Sequence, residues 1–154
     1  MTTQLLLHQR IRSLASSSDE YETPDEVFDE LCKKYNMSPT LDVCTTRKMS
    51  KCKKFFTKDA TSKNWTQSVW CNPPHSKTKD FVKKADAEWK RNNIDIMMLI
   101  PANSICAAYF DDILDKGHAT YHRLSGRIRF LVEGKPSEFP SRNAYFVVLW
   151  RSNK

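Results

Sequence analysis

Apolar residues recur along this chain at two periods, and the switch between them divides it into elements. Val27, Phe28, Leu31, Cys32 and Tyr35 fall at helical spacing. The residues ahead of them predict the helix start, with Thr23 as cap, Pro24 at the first helical position and Asp25 and Glu26 in the first turn. Thr40 to Cys44 predicts a short buried strand with an acid, Asp42, inside it. The basic stretch from Arg47 to Lys58 carries Phe55 and Phe56 and predicts a helix or loop, then a turn. Ser68 to Cys71 predicts a strand that two prolines stop. Thr78 to Arg91 places Phe81, Val82, Ala85 and Trp89 on one stripe and lysines elsewhere, the pattern of an amphipathic helix. Ile94 to Ile100, closed by Pro101, is the most apolar run and predicts the central strand. A further helix is expected from Ser104 to Leu114, with Gly117 as its C-terminal cap. Three late strands follow, at Thr120–Leu124, Arg127–Val132 and Ala144–Trp150, the last two parted by the Gly134-Lys135-Pro136 turn and by Pro140.

Strands alternating with helices, then a strand-rich end, predict an α/β fold: a Rossmann-like sandwich with a mixed sheet and helices on both faces. The 154 residues suit one domain, drawn here as 19–154, after an N-terminal extension, helical or flexible, over 1–18. The apolar triplet Leu5–Leu7 is too short for a signal-peptide core, and a transit peptide is the minor alternative. No apolar run approaches the roughly 20 residues of a membrane helix, so no membrane partner is expected. Five scattered cysteines, an odd count, suit reduced thiols in a cytoplasmic, non-secreted protein better than a disulfide framework. The formal net charge of +7 favours a polyanionic partner.

Charge names no chemistry; the turn Asn72-Pro73-Pro74-His75 does. Both prolines fix φ and Pro73 has no N–H, so the turn is stiff and cannot continue a sheet. The Asn72 side-chain oxygen and the Pro73 carbonyl can then converge on one amino group outside the strand end. An isolated Asn-Pro-Pro is also a common turn signal, so its context decides. In a doubly wound sheet ligands lie beyond the carboxyl ends of strands, which puts Asp42 and Asn72 on one rim. A zinc or redox module built from Cys44, Cys52, Cys71 and His75 is the competing reading. It lacks the close cysteine pairs such sites use, so no metal is expected.

The ordered series of motifs resembles the phage-type DNA N6-adenine methyltransferase family (Dam-like). Tyr21-Glu22-Thr23-Pro24 is similar to the family's opening Thr-Pro motif, and Leu41-Asp42-Val43-Cys44 to its cofactor strand. Ser50-Lys51-Cys52-Lys53-Lys54-Phe55-Phe56-Thr57 resembles the basic-aromatic segment that follows. Trp65 and Val69-Trp70-Cys71-Asn72-Pro73-Pro74 fit the approach to the catalytic motif. Leu99-Ile100-Pro101-Ala102 and Gly126-Arg127-Ile128-Arg129-Phe130 fit later strands. The resemblance implies a reduced S-adenosylmethionine-dependent methyltransferase sandwich that methylates the adenine N6 of double-stranded DNA, with the target base flipped out of the stack. It implies Asn72, Pro73, Pro74 and His75 as catalytic residues, His75 being the ring that stacks on the base or shuttles a proton. Thr23, Pro24, Asp42, Cys44 and Asp59 would bind cofactor, with Trp65 beside the adenosine. Lys77, Lys79, Arg127 and Arg129 would meet nucleic acid, and a homodimer stays open. Two departures stand out: Cys44-Thr45-Thr46-Arg47 has no glycine where related enzymes often carry a Gly-rich loop, and His75 replaces an aromatic residue. A catalytically silent nucleic-acid-binding protein and methylation of another amine, such as RNA adenine or cytosine N4, are the alternatives.

Overall fold

The computed structural model describes residues 21–153; the predicted extension over 1–18 lies outside them. Its centre is a six-stranded sheet of β1 (Leu41–Asp42), β2 (Lys54–Phe55), β3 (Val69–Cys71), β4 (Ile96–Pro101), β5 (Thr120–Arg123) and β8 (Tyr145–Trp150). The spatial order is β2-β1-β3-β4-β8-β5. β2, β1, β3 and β4 pair in parallel, while β8 runs antiparallel to both its neighbours. β6 (Leu131–Val132) and β7 (Lys135–Pro136) form a separate hairpin. Its two-residue turn, Glu133 at φ 53° and Gly134 at φ 79°, has the left-handed pair that hairpin twist requires.

Alternation along β4 shows why the sheet is buried on both sides. Ile96, Met98 and Ile100 face one core with Phe81, Val82 and Ala85 of α2 (Thr78–Asn92) and Ile113 of α3 (Asp111–Asp115). Met97 and Leu99 face the other, with Leu31 of α1 (Asp25–Tyr35), Ile128, Phe130 and Tyr145. A strand covered on both faces reads as a continuous apolar run, as Ile96 to Ile100 does.

Four expectations are corrected. α1 starts at Asp25 behind Pro24, and the Thr23 side chain does not cap it; its hydroxyl is used by Asn72 instead. Arg47–Lys58 contributes a strand, β2, because Phe56 N–H donates to the Asp42 carbonyl and draws the segment against β1. The helix expected over Ser104–Leu114 is broken into two 3-10 turns, Ala102–Cys106 and Ala108–Phe110, before α3. Ala107 between them is extended at ψ 144°, which resets the phase so that Ile105, Phe110 and Ile113 all reach the core. Over Arg127–Phe130 the period-2 burial is present, but only Leu131–Val132 of the expected strand forms a ladder. Ile128 and Phe130 carbonyls each accept one bond, from Ser141 and Ser137, in a segment interrupted by Pro140.

Candidate active site

Successive strands leave β1 in opposite directions, β2 to one side and β3 to the other, so a crevice opens between their carboxyl ends. A cavity of about 390 Å³ lies there, lined by Thr23, Asp42, Cys44, Lys51 and Asn72, with Pro74 and the hairpin tip at its margin. A larger groove, about 650 Å³, runs beside α1 and holds Pro24, Lys34, Arg123, Arg127 and Arg129. The smaller cavity is the candidate site, because there the strand ends deliver an acid and an amide together.

Asn72 follows the last residue of β3, and its amide is held from a distant stretch of chain. Nδ2 donates to the Tyr21 carbonyl at 3.2 Å and to Thr23 Oγ1 at 3.1 Å. A carbonyl can only accept, so the nitrogen must face Tyr21, and Oδ1 is turned away from both partners. The Tyr21–Thr23 segment is itself fixed. Glu22 exchanges two main-chain bonds with Leu131 of β6, at 3.0 and 2.8 Å. The Glu22 carboxylate also meets Lys51 Nζ at 3.1 Å, and Asp25 meets the same ammonium at 2.8 Å. Burial pulls the Lys51 pKa down, but these two carboxylates outweigh it and hold it above the usual lysine value.

Asp42 is 2% exposed. Its Oδ1 accepts the Cys44 N–H at 3.2 Å and its Oδ2 the Lys51 N–H at 3.0 Å, so it shapes the glycine-free loop that borders the cavity. Burial pushes its pKa up to about 6, against the opposing pull of those two N–H groups and of the Lys51 ammonium.

Beyond Asn72 the prolines turn the chain into a 3-10 turn over His75–Lys77. His75 Nε2 lies 2.8 Å from the Tyr145 hydroxyl, on β8. Tyr145 is buried, which pushes its pKa up to about 12.

The cavity therefore gathers Thr23, Asp42, Cys44, Asn72 and Pro74 from the predicted set. Pro73 is buried beneath the turn and His75 stands beside it. Pro24 lies in the other groove, and Asp59 lines neither. Trp65 does not reach the cavity. It is fully buried against Phe81, its Nε1 donating to the Ala60 carbonyl, so it is a core residue. Lys77 and Lys79 are exposed, whereas the Arg127 guanidinium donates to the Ser141 and Arg142 carbonyls and braces a loop. Tyr145 was not singled out from sequence, and Glu22 and Lys51 stood there only as members of the opening and basic-aromatic motifs. Only the basic-aromatic run around Lys51 carried a hint of its place.

Among the described residues, no group of His, Cys, Asp and Glu side chains is arranged to hold a metal, and the five cysteines are unpaired by disulfides. No described helix is long and apolar enough to cross a membrane.

The fold is a Rossmann-like α/β sandwich built on a mixed sheet. The crystal structure of a proposed RNA methyltransferase from Pyrococcus horikoshii matches it with a TM-score of 0.53 at 12% identity, covering 88% of this chain and 87% of that one. That likeness is one of fold alone. Residues 11–154 match the family model described as DNA N-6-adenine-methyltransferase (Dam), and the chain belongs to that family. A DNA N-6-adenine-methyltransferase of Escherichia phage T1 is 36% identical over 93 residues, which are 58% of this chain and 38% of the phage protein. The match thus spans less than half the length of that curated relative.

Proposed function

We infer that the chain transfers a methyl group from S-adenosylmethionine to the N6 amino group of adenine in DNA. The observation that carries the reading is the anchored amide of Asn72: both its N–H groups are committed to Tyr21 and Thr23, so Oδ1 is left to accept.

The cavity chemistry fits the cofactor. Asp42 supplies a carboxylate toward an ammonium, and Thr23, Thr45, Thr46 and Thr57 supply hydroxyls beside the apolar surfaces of Met49 and Trp70. When bound, S-adenosylmethionine supplies an electrophilic methyl on a sulfonium sulfur. The target nitrogen is a poor nucleophile, because its lone pair is delocalised into the adenine ring. Asn72 Oδ1 and the Pro73 carbonyl would each accept one of its hydrogens and favour a pyramidal nitrogen. Positioning and electrostatics of this kind carry most of the rate in such a site, with no protein nucleophile. The base must leave the duplex at a cost of a few kcal/mol, and the flat face of His75 beside Asn72 would receive it. Lys77, Lys79 and Arg129 would meet phosphates.

The test is to incubate the protein with labelled cofactor and both DNA and RNA, then digest and identify the labelled nucleoside. N6-methyldeoxyadenosine is expected. Asn72→Ala should abolish transfer while calorimetry still detects cofactor binding. An active Asn72→Ala protein would sink the assignment.

A further inference from the structure

Two large apolar side chains stand more than half exposed among the described residues, Tyr121 at 51% and Phe139 at 62%. The Tyr121 ring meets Phe146 edge-on at 5.6 Å and so belongs to the sheet. Phe139 is carried instead on the loop that enters β8. An exposed ring is ordinary by itself; the way this one is mounted is not. Ser137 N–H donates to the Phe130 carbonyl at 2.9 Å, and Ser141 N–H to the Ile128 carbonyl at 2.8 Å. Between those anchors Glu138, Phe139 and Pro140 stand opposite Arg129 alone, and the surplus length is thrust outward as a bulge. The Ser137 hydroxyl donates to the Phe139 carbonyl at 2.8 Å, and Arg127 binds the Ser141 and Arg142 carbonyls. Pro140 fixes its own φ. The tip is therefore stiff, and its ring faces water.

The bulge belongs to the rim of the candidate site. β8 runs antiparallel to β4 with Tyr145 opposite Pro101, so the loop ahead of β8 arrives at the carboxyl end of β4. β3 ends on that same side, with Asn72 just beyond it. Phe130, which anchors the bulge, stacks on Tyr21 at 5.7 Å, and the Tyr21 carbonyl accepts from Asn72. Around the tip, Arg127, Arg129, Lys135 and Arg142 are exposed, against the acids Glu133 and Glu138. That surplus of cations suits phosphates flanking a ring that enters between base pairs.

We propose that Phe139 is a wedge for duplex DNA: it enters the stack beside the target base and fills the space that base vacates. A base turned out toward Asn72 leaves its neighbours unstacked and its former partner unpaired, and that is the cost of extruding it. The face of Phe139 against those neighbours offsets the cost, and a stiff mount does so without ordering a loop at the moment of binding. Phe139 is thus a positioning residue, remote from the reacting atoms. The flipped base rests on the adenine methyltransferase reading; insertion of the ring into a duplex does not.

The two parts are tested separately. Sequencing of DNA methylated by the wild type gives a target duplex, and 2-aminopurine placed at the target adenine brightens when it leaves the stack. Wild-type protein should brighten it, Phe139→Ala should not, and Phe139→Trp should restore the signal. On the unmodified duplex, Phe139→Ala should lower kcat by about tenfold, the effect of one lost base–aromatic contact. Its melting temperature and its calorimetric affinity for S-adenosylmethionine should match the wild type. A 2-aminopurine signal undiminished in Phe139→Ala would overturn the proposal, as would an unchanged kcat. The same losses accompanied by a lowered melting temperature would make the ring a structural one and overturn it too. Insertion is read independently from Phe139→Trp, whose added indole emission should be quenched by duplex DNA. Quenching in a protein that methylates no DNA would refute the methyltransferase reading and leave the wedge standing; an unquenched indole would refute the wedge.

Discussion

At Asp42 a single carboxylate holds the loop from Cys44 to Lys51 by two main-chain bonds, and burial raises its pKa to about 6. That value lies above the 3.8 of an ordinary aspartate, so the folded protein binds this proton more tightly than the unfolded chain. Its contribution to stability is therefore full below a pH of about 4 and is lost as pH rises through about 6. Affinity for a cationic cofactor group should run the opposite way, strengthening as Asp42 ionises. Melting temperatures recorded across this range, with and without S-adenosylmethionine, should show both trends. Asp42→Asn should flatten them, and a variant that kept the wild-type inflection would assign it to another group. The placing of Asp42 and Asn72 on one rim was legible in the sequence, because one lies within and the other just beyond a short apolar run, where a parallel sheet presents ligands. The partners that orient the turn from Asn72 to His75 were not legible. Tyr21 is 51 positions from Asn72, and Tyr145 is 70 from His75. No local pattern encodes such a pairing; it appears only once β3 and β8 flank β4.

Among the elements, α2 shows what a hydrophobic stripe can and cannot convey. The stripe Phe81, Val82 and Ala85 gave the helix, but Glu88, on the same buried side, is fully covered. It accepts the Trp65 N–H at 3.1 Å and the Asn92 amide at 2.7 Å, and it pairs with Lys84 and Arg91. One acid thus ties α2 to the segment entering β3, whose C-terminal end carries Asn72. Glu88→Ala strips those donors of their acceptor and should destabilise the fold by about 3 kcal/mol, read as a shift in the urea midpoint. A loss nearer half a kcal/mol would mean that water replaces the carboxylate at little cost. The misread elements fail for related reasons. Ile105, Phe110 and Ile113 suit a helix only roughly, and the extended Ala107 lets each reach the core separately. Ile128 and Phe130 alternate as a strand should, yet no uninterrupted partner lies beside them. Periodicity reports which faces are buried, and hydrogen-bond partners decide whether an element closes.

For the molecule as a whole, the net charge of +7 should appear as salt dependence. If Z phosphates are neutralised on duplex DNA, the logarithm of affinity should fall against the logarithm of salt with a slope of about −0.9Z. Lys77→Ala should reduce that slope by about one unit if the side chain contacts a phosphate. An affinity indifferent to salt would leave DNA without an electrostatic footprint on this surface. The three residues ahead of Pro24 are built into the fold, with Thr23 buried and Tyr21 stacked on Phe130, and the Asn72 amide depends on them as well. Tyr21 and Thr23 hold Asn72, and Glu22 links that stretch to Lys51 and Leu131. Replacing those few codons should therefore release the Asn72 oxygen from its aim and loosen the packing against Phe130 in one stroke. Inheritance of the architecture and of the aim of that amide is thus tied together in the few residues just ahead of Pro24.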